Sequence, residues 1–268
     1  MAKGEIDAII AEDAAPNFEN TVQALDFSGS KLSRISSIFF NLNSSETNDE
    51  IQKIAQEVSP LLSEFSNDIT LNADLFHKIK VVFDAMDGLN LTAEQETLLE
   101  KKYKSFVRNG ANLSDQEKEE LREIDKELSK LKLKFGENVL AETHAFELHL
   151  TNRNDLKGLP DSAIEAAEMN AKQRDKKGWI FTLDYPSYIP FMTYADSRAL
   201  RKKMAIAFGA RAFQNNDNDN QQIVLELVNL RYKRAVLLGY SSHAEFVLEE
   251  RMAESPDKVT AFLQDLLK

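Results

Sequence analysis

Apolar residues return every three or four positions through most of this 268-residue chain, with polar residues between them, the spacing of helices that bury one face. Nine glycines and six prolines leave few places for such helices to break. Thr92-Ala93-Glu94-Gln95 and Ser114-Asp115-Gln116-Glu117 let a cap side chain and a first-turn side chain satisfy each other's backbone amides, so both predict a helix start. In the second helix Leu121, Ile124, Leu128, Leu131 and Phe135 form one stripe, while Lys and Glu crowd the other face. Residues 146–150 and 179–183 depart from this pattern. They alternate and carry aromatic or β-branched residues, which predicts a small two-stranded element. Between them Gly158-Leu159-Pro160-Asp161 reads as a turn into a helix, whereas Pro186 and Pro190 bound a segment expected to be non-helical. Helical spacing resumes near Asp196. Gly239 fits a helix C-cap, Ser242-His243-Ala244-Glu245 opens a further helix, and Ser255-Pro256 starts the last one. That helix carries an apolar face, Val259, Phe262, Leu263 and Leu266, with no later sequence to cover it, which points to a longer parent protein. The expectation is a mainly α fold with a helical region at 1–143 and, at 144–268, the short β element followed by more helices.

Composition narrows the class. Hydrophobic residues are 43% and charged residues 29%, a folded globular mixture. Lys and Arg number 33 against 44 Asp and Glu, a net charge of −11 that opposes docking on nucleic acid or anionic lipid. No cysteine is present, so disulfides, thiolate metal sites and a cysteine nucleophile are excluded. No apolar run approaches the roughly 20 residues that cross a bilayer, and the N-terminus has no signal-peptide core. A monomer of the cytoplasm is expected, or of the periplasm if a leader preceded Met1.

The candidate chemistry is sparse. His77, His144, His149 and His243 include no H-E-x-x-H pair, and His144 and His149 lie five apart in strand-like sequence, on opposite faces. Asn215, Asp217, Asp219 and Glu226 match positions 1, 3, 5 and 12 of a calcium loop, but Asn220 stands where the turn needs glycine, so a solvated loop is expected. Ser241-Ser242-His243 is better explained by helix capping than by a nucleophile and base, and no nucleotide loop occurs. Tyr185, Tyr188, Phe191, Met192 and Tyr194 crowd one segment, where core filling is the stronger reading and stacking on a peptide the weaker. No catalytic residue and no metal ligand is assigned.

Several stretches share a source. N-F-E-N-T from Asn17, S-G-S-K-L-S-R-I-S-S-I-F-F-N-L from Ser28, I-T-L-N-A-D-L-F from Ile69 and N-D-L-K-G-L-P from Asn154 precede the most distinctive run, T-L-D-Y-P-S-Y-I-P-F-M-T-Y-A-D-S-R-A-L-R from Thr182. L-R-Y-K-R-A-V-L-L-G-Y from Leu230 and R-M-A-E-S-P from Arg251 follow. Together they resemble the thimet-oligopeptidase family of zinc metallopeptidases over nearly the whole chain, most closely its bacterial peptidyl-dipeptidase branch and also the oligopeptidase A branch. The resemblance implies the helical N-terminal half of a clamshell fold, one wall of a channel that admits short peptides. It also implies a zinc ion whose ligands lie outside this chain, so that the parent protein releases C-terminal dipeptides and this part alone is inactive. Endopeptidic cleavage of the oligopeptidase A kind, or a stand-alone helical peptide-binding protein without catalysis, are the alternatives.

Overall fold

Short polar side chains that reach back to first-turn amides set most of the helix starts. The computed structural model of the chain describes residues 1–267 and is mainly α. Residues 1–133, together with those from 226 onward, form one compact unit, and residues 134–225 form another.

In the first unit α1 (Ala2–Ala11) is followed by a π-helical turn, Phe18–Gln23, that runs into α2 (Ala24–Phe27). Asn17 caps that turn: its side chain accepts from the Asn20 amide at 2.8 Å, and the Asn20 side chain accepts from the Asn17 amide at 2.9 Å. Next come α3 (Ser30–Ser45), α4 (Asp49–Thr70), α5 (Ala73–Asp84), α6 (Ala93–Arg108) and α7 (Asp115–Ala145), the last of which belongs to this unit only as far as Leu133. Asn48 and Asn72 cap α4 and α5, and the reciprocal caps expected at Thr92 and Ser114 are present. Ile6, Ile9, Leu75, Phe76, Ile79 and Phe106 pack as one apolar cluster, and Phe18, Val22, Val82 and Leu99 as a second. Phe83 and Tyr103 stack with ring centres 4.0 Å apart. Along α7, Leu121, Ile124, Leu128 and Leu131 are buried as their stripe predicts, while Phe135 is partly exposed.

In the second unit β1 (Leu148–Leu150) pairs antiparallel with β2 (Trp179–Phe181), Leu148 opposite Phe181. The strands are shorter than the alternation predicts. At one end the Thr182 amide donates to Ser187 Oγ at 3.0 Å instead of to a strand partner, and at the other α7 runs as far as Ala145. His144 is therefore helical, contrary to the strand expected there. Between the strands lies α8 (Asp161–Lys172), and α9 (Tyr185–Tyr194) and α10 (Arg198–Gly209) follow.

Helix α9 overturns the expectation that Pro186 and Pro190 exclude a helix. Pro186 lies in the first turn, where a missing N–H costs nothing. Pro190 forfeits one interior hydrogen bond, but burial offsets that loss. Phe191 is fully buried with its ring 4.7 Å from that of Phe181, among Leu148, Leu183, Ala195 and Met204.

Helix α11 (Gln221–Leu237) ends at Gly239 as expected, with φ +87° and the Tyr240 amide donating to Ala235 at 2.9 Å. In the first unit α12 (His243–Leu248) and α13 (Pro256–Leu266) start at Ser242 and Ser255, each accepting a first-turn amide. Phe262, Leu263 and Leu266 on α13 are exposed, and Val259 is half-buried.

Two glycines separate strain from collision. Gly158 has φ +86°, and a Cβ there would lie 2.2 Å from the Tyr194 carbonyl oxygen, because the Asp196 amide donates to Lys157 O across the same turn. Gly239 has a similar φ of +87° with open space around it. Gly239→Ala is expected to cost about 1–2 kcal/mol, the usual left-handed penalty, and Gly158→Ala clearly more. Equal losses in urea unfolding would show that the close approach at Gly158 is unimportant.

Candidate functional site

Arg234 on α11 and Arg108 at the end of α6 organise the polar interior of the first unit. Arg234 Nε donates to Asp125 Oδ1 at 2.6 Å and Nη2 to Asn109 Oδ1 at 3.1 Å. Both members of the ion pair are only 15% exposed, so removing one would strand a desolvated charge. Arg108 donates to the Tyr240 hydroxyl at 3.2 Å and the Phe246 carbonyl at 2.6 Å, and pairs with Glu249. The two guanidinium groups lie 4.7 and 5.1 Å from the centre of the Phe246 ring. Lys101 and Lys104 both reach Glu250, and their hydrogen bonds hold its carboxyl at about 2. These contacts fasten α12 to α6.

Positive charge is concentrated beside this fastening. Burial, followed by the charge of Arg231, pulls the Lys132 ammonium below its ordinary value. Burial also lowers His243, with Arg231, Arg234 and Lys132 acting in the same direction, and its Nδ1 is buried without a hydrogen bond among the described residues. A cavity of about 380 Å3 here is lined by Ser59, Ser63, Asp125, Ser129 and Lys132, with Phe40 among its apolar walls. The serine and histidine of 241–243 cap helices, as their sequence implies: Ser242 Oγ accepts from Glu245 N, and Ser241 Oγ donates to the Glu245 carboxylate.

In the second unit the distinctive run from Thr182 divides its aromatic residues between core and surface. Thr182 Oγ1 donates to Asp184 at 2.9 Å, fixing the entry to α9. Phe191 is buried, Met192 packs on the core, and Tyr188 stacks on Phe208 with centres 4.2 Å apart. Tyr185 meets Phe208 edge-on and is 67% exposed, and Tyr194 is also exposed. Core filling thus describes Tyr188, Phe191 and Met192, and leaves Tyr185 and Tyr194 available for stacking on a ligand.

The calcium-like spacing is not brought together as a cage. Asp219 accepts from the backbone amides of Gln214, Asn215 and Gln221 and from the Gln221 side chain, which hold its carboxyl below the usual range. Its oxygens staple the loop that leads into α11. His77 is exposed on α5, and His144 Nε2 stands 3.9 Å from Asp184. His149 on β1 lies 2.7 Å from the Lys177 carbonyl oxygen. Among the described residues no group of three or more His, Cys, Asp or Glu side chains is placed to hold a metal ion, so the residues present do not fit a zinc seat. No described helix is long and apolar enough to cross a membrane. The Arg108 and Arg234 network and the His243 Nδ1, unbonded among the described residues, were not apparent from sequence; the closely spaced basic residues Arg231, Lys233 and Arg234 in an acidic chain were the signal for them.

Comparison with known proteins fits this picture. The family profile of peptidase family M3 matches residues 191–268. Oligopeptidase A of Salmonella typhimurium is 32% identical over 270 residues, covering 99% of this chain and 40% of that protein. Oligopeptidase A of Haemophilus influenzae is 34% identical over 257 residues, covering 94% of this chain and 38% of its own length. Dipeptidyl carboxypeptidase of Escherichia coli is 32% identical over 267 residues, covering 99% and 39%. The chain spans about two fifths of the length of these curated relatives.

A histidine whose folded pKa lies below 6.5 makes the unfolded state the better proton acceptor, so its neutral form favours folding above that pH. Stability is therefore expected to fall as pH drops through 6.5 towards the folded value. Arg231→Gln should move the His243 titration upward, read from its ring proton shifts by NMR. An unchanged titration would remove Arg231 as a cause.

Proposed function

The chain belongs to peptidase family M3, the thimet-oligopeptidase family, and from that membership we propose that it is the non-catalytic helical part of a zinc-dependent peptidyl-dipeptidase. In this reading the parent protein hydrolyses short peptides and releases C-terminal dipeptides, and this part forms a wall of the substrate channel. The observation that carries it is the pairing of two facts: nearly all of this chain aligns with about two fifths of each peptidase, and its sequence holds no H-E-x-x-H. Zinc, in the parent, would polarise the scissile carbonyl and activate water. The residues described here would contribute recognition, since a rigid helical wall excludes folded proteins and offers side chains to an extended peptide.

Exposed apolar faces support that role. Ile35, Ile38 and Leu42 line one face of α3, and Tyr185 and Ile189 one face of α9. An oligopeptidase A-like endopeptidase is the second reading, supported by relatives of that name at 32% and 34% identity, beside 32% for the dipeptidyl carboxypeptidase. The preference for dipeptide release rests on the run from Thr182. A stand-alone peptide-binding protein is the third, and an H-E-x-x-H helix encoded in frame after Lys268 would reject it.

Two assays test the proposal. The parent protein should cleave peptides with a free C-terminal carboxylate and spare their amides; equal cleavage would replace dipeptide release by endopeptidase action. The 268-residue chain with added zinc should hydrolyse neither, because three protein ligands are needed to hold a catalytic zinc. Zinc-dependent turnover by the pure chain would overturn the non-catalytic assignment.

A further inference from the structure

Within residues 134–225 a groove of about 380 Å3 is lined by Phe135, Arg211, Phe213, Asn220, Val224 and Leu225. Phe213, Val224 and Leu225 are 63%, 44% and 59% exposed, so its apolar walls face solvent. Arg211 is held rigidly at this groove. Its Nε donates to the Phe208 carbonyl at 2.9 Å, one Nη donates to Thr143 Oγ1 at 2.8 Å, and its guanidinium lies 3.7 Å from the centre of the Phe208 ring.

Both of those acceptors, a backbone carbonyl and a hydroxyl, are neutral. The ion pairs among the described residues of 134–225 use Asp184, Glu168 and Glu147 and leave Arg211 out. Glu142, next to Thr143 in sequence, accepts from the side-chain amides of Gln214, Asn216 and Asn218. In a chain with a net charge of −11, a fixed guanidinium held by two neutral acceptors lies beside an apolar groove.

We propose that this groove binds the C-terminal residue of a peptide, its bulky apolar side chain against Phe135, Phe213, Val224 and Leu225 and its α-carboxylate on Arg211. The assignment rests on the peptide-handling reading above. The remaining N–H groups of Arg211 can meet a carboxylate in the paired geometry that guanidinium favours. Because the packing already fixes the side chain, little ordering entropy is lost on binding.

Titration calorimetry on the 268-residue chain tests this with N-acetyl-Ala-Ala-Phe as free acid, its C-terminal amide, and N-acetyl-Ala-Ala-Gly acid. The Phe acid should bind at least about tenfold more tightly than either of the others, a difference of about 1.4 kcal/mol. Arg211→Gln should bring the acid to the level of the amide. Phe213→Ser, at an exposed position, should weaken the Phe acid without altering thermal unfolding, and it decides the matter if Arg211→Gln unfolds the chain. Equal binding of acid and amide, or no loss in Phe213→Ser, overturns the proposal. Decanoate binding as tightly as the peptide overturns the peptide commitment. Hydrolysis by the parent protein is read separately, so failure here leaves the peptidase reading standing, and its failure leaves the measured affinities as they are.

Discussion

The first unit depends on two arginines that tie together segments distant in sequence. Arg234 comes more than a hundred residues after Asp125 and Asn109, yet its guanidinium is bonded to both, and Arg108 is bonded in turn to Tyr240 and the Phe246 backbone. Apolar packing alone is non-directional and tolerates sliding of one helix on another. A planar guanidinium with fixed N–H directions does not, and here two of them share the Phe246 ring. The region after residue 226 is thereby given a defined register against α6 and α7. The same neighbourhood gathers Arg231, Arg234 and Lys132 around His243, whose partial burial and cationic neighbours shift it towards its neutral form.

The second unit solves a different problem. A two-stranded sheet of three residues per strand is marginal by itself. Here one face is covered by side chains from α9 and α10, Phe191 and Met204 among them. The same packing holds a helix across two prolines. Local preference at 185–190 and tertiary burial at 191 oppose each other, and burial prevails.

Much of this was legible in the chain. Capping residues at Thr92, Ser114, Ser242 and Ser255 mark helix starts because the chemistry that satisfies a first-turn amide is local, and the stripe from Leu121 to Leu131 shows its burial by period alone. The β element was visible for the same reason, though its ends were not, since the Ser187 hydroxyl that takes the Thr182 amide belongs to a different element. The helix at 185–194 runs against the local preference of its prolines, because the compensation for Pro190 lies in residues brought together only by folding. The candidate sites were harder still. Burial, charge balance and the partner of each guanidinium are properties of the folded neighbourhood, and the family resemblance, carried by ordered runs of sequence, told more about function than any single spacing did.

The proline at 190 has one more effect. Its ring nitrogen carries no hydrogen, so the carbonyl oxygen of Pro186, one turn earlier, lacks the backbone donor that an uninterrupted helix would supply. Pro186 is exposed, and its neighbours Tyr185 and Ile189 are exposed as well. An aromatic ring and a branched aliphatic chain thus share one short stretch of surface with a helix carbonyl whose usual donor is missing, a place where water can stand in for the lost N–H without unwinding the helix.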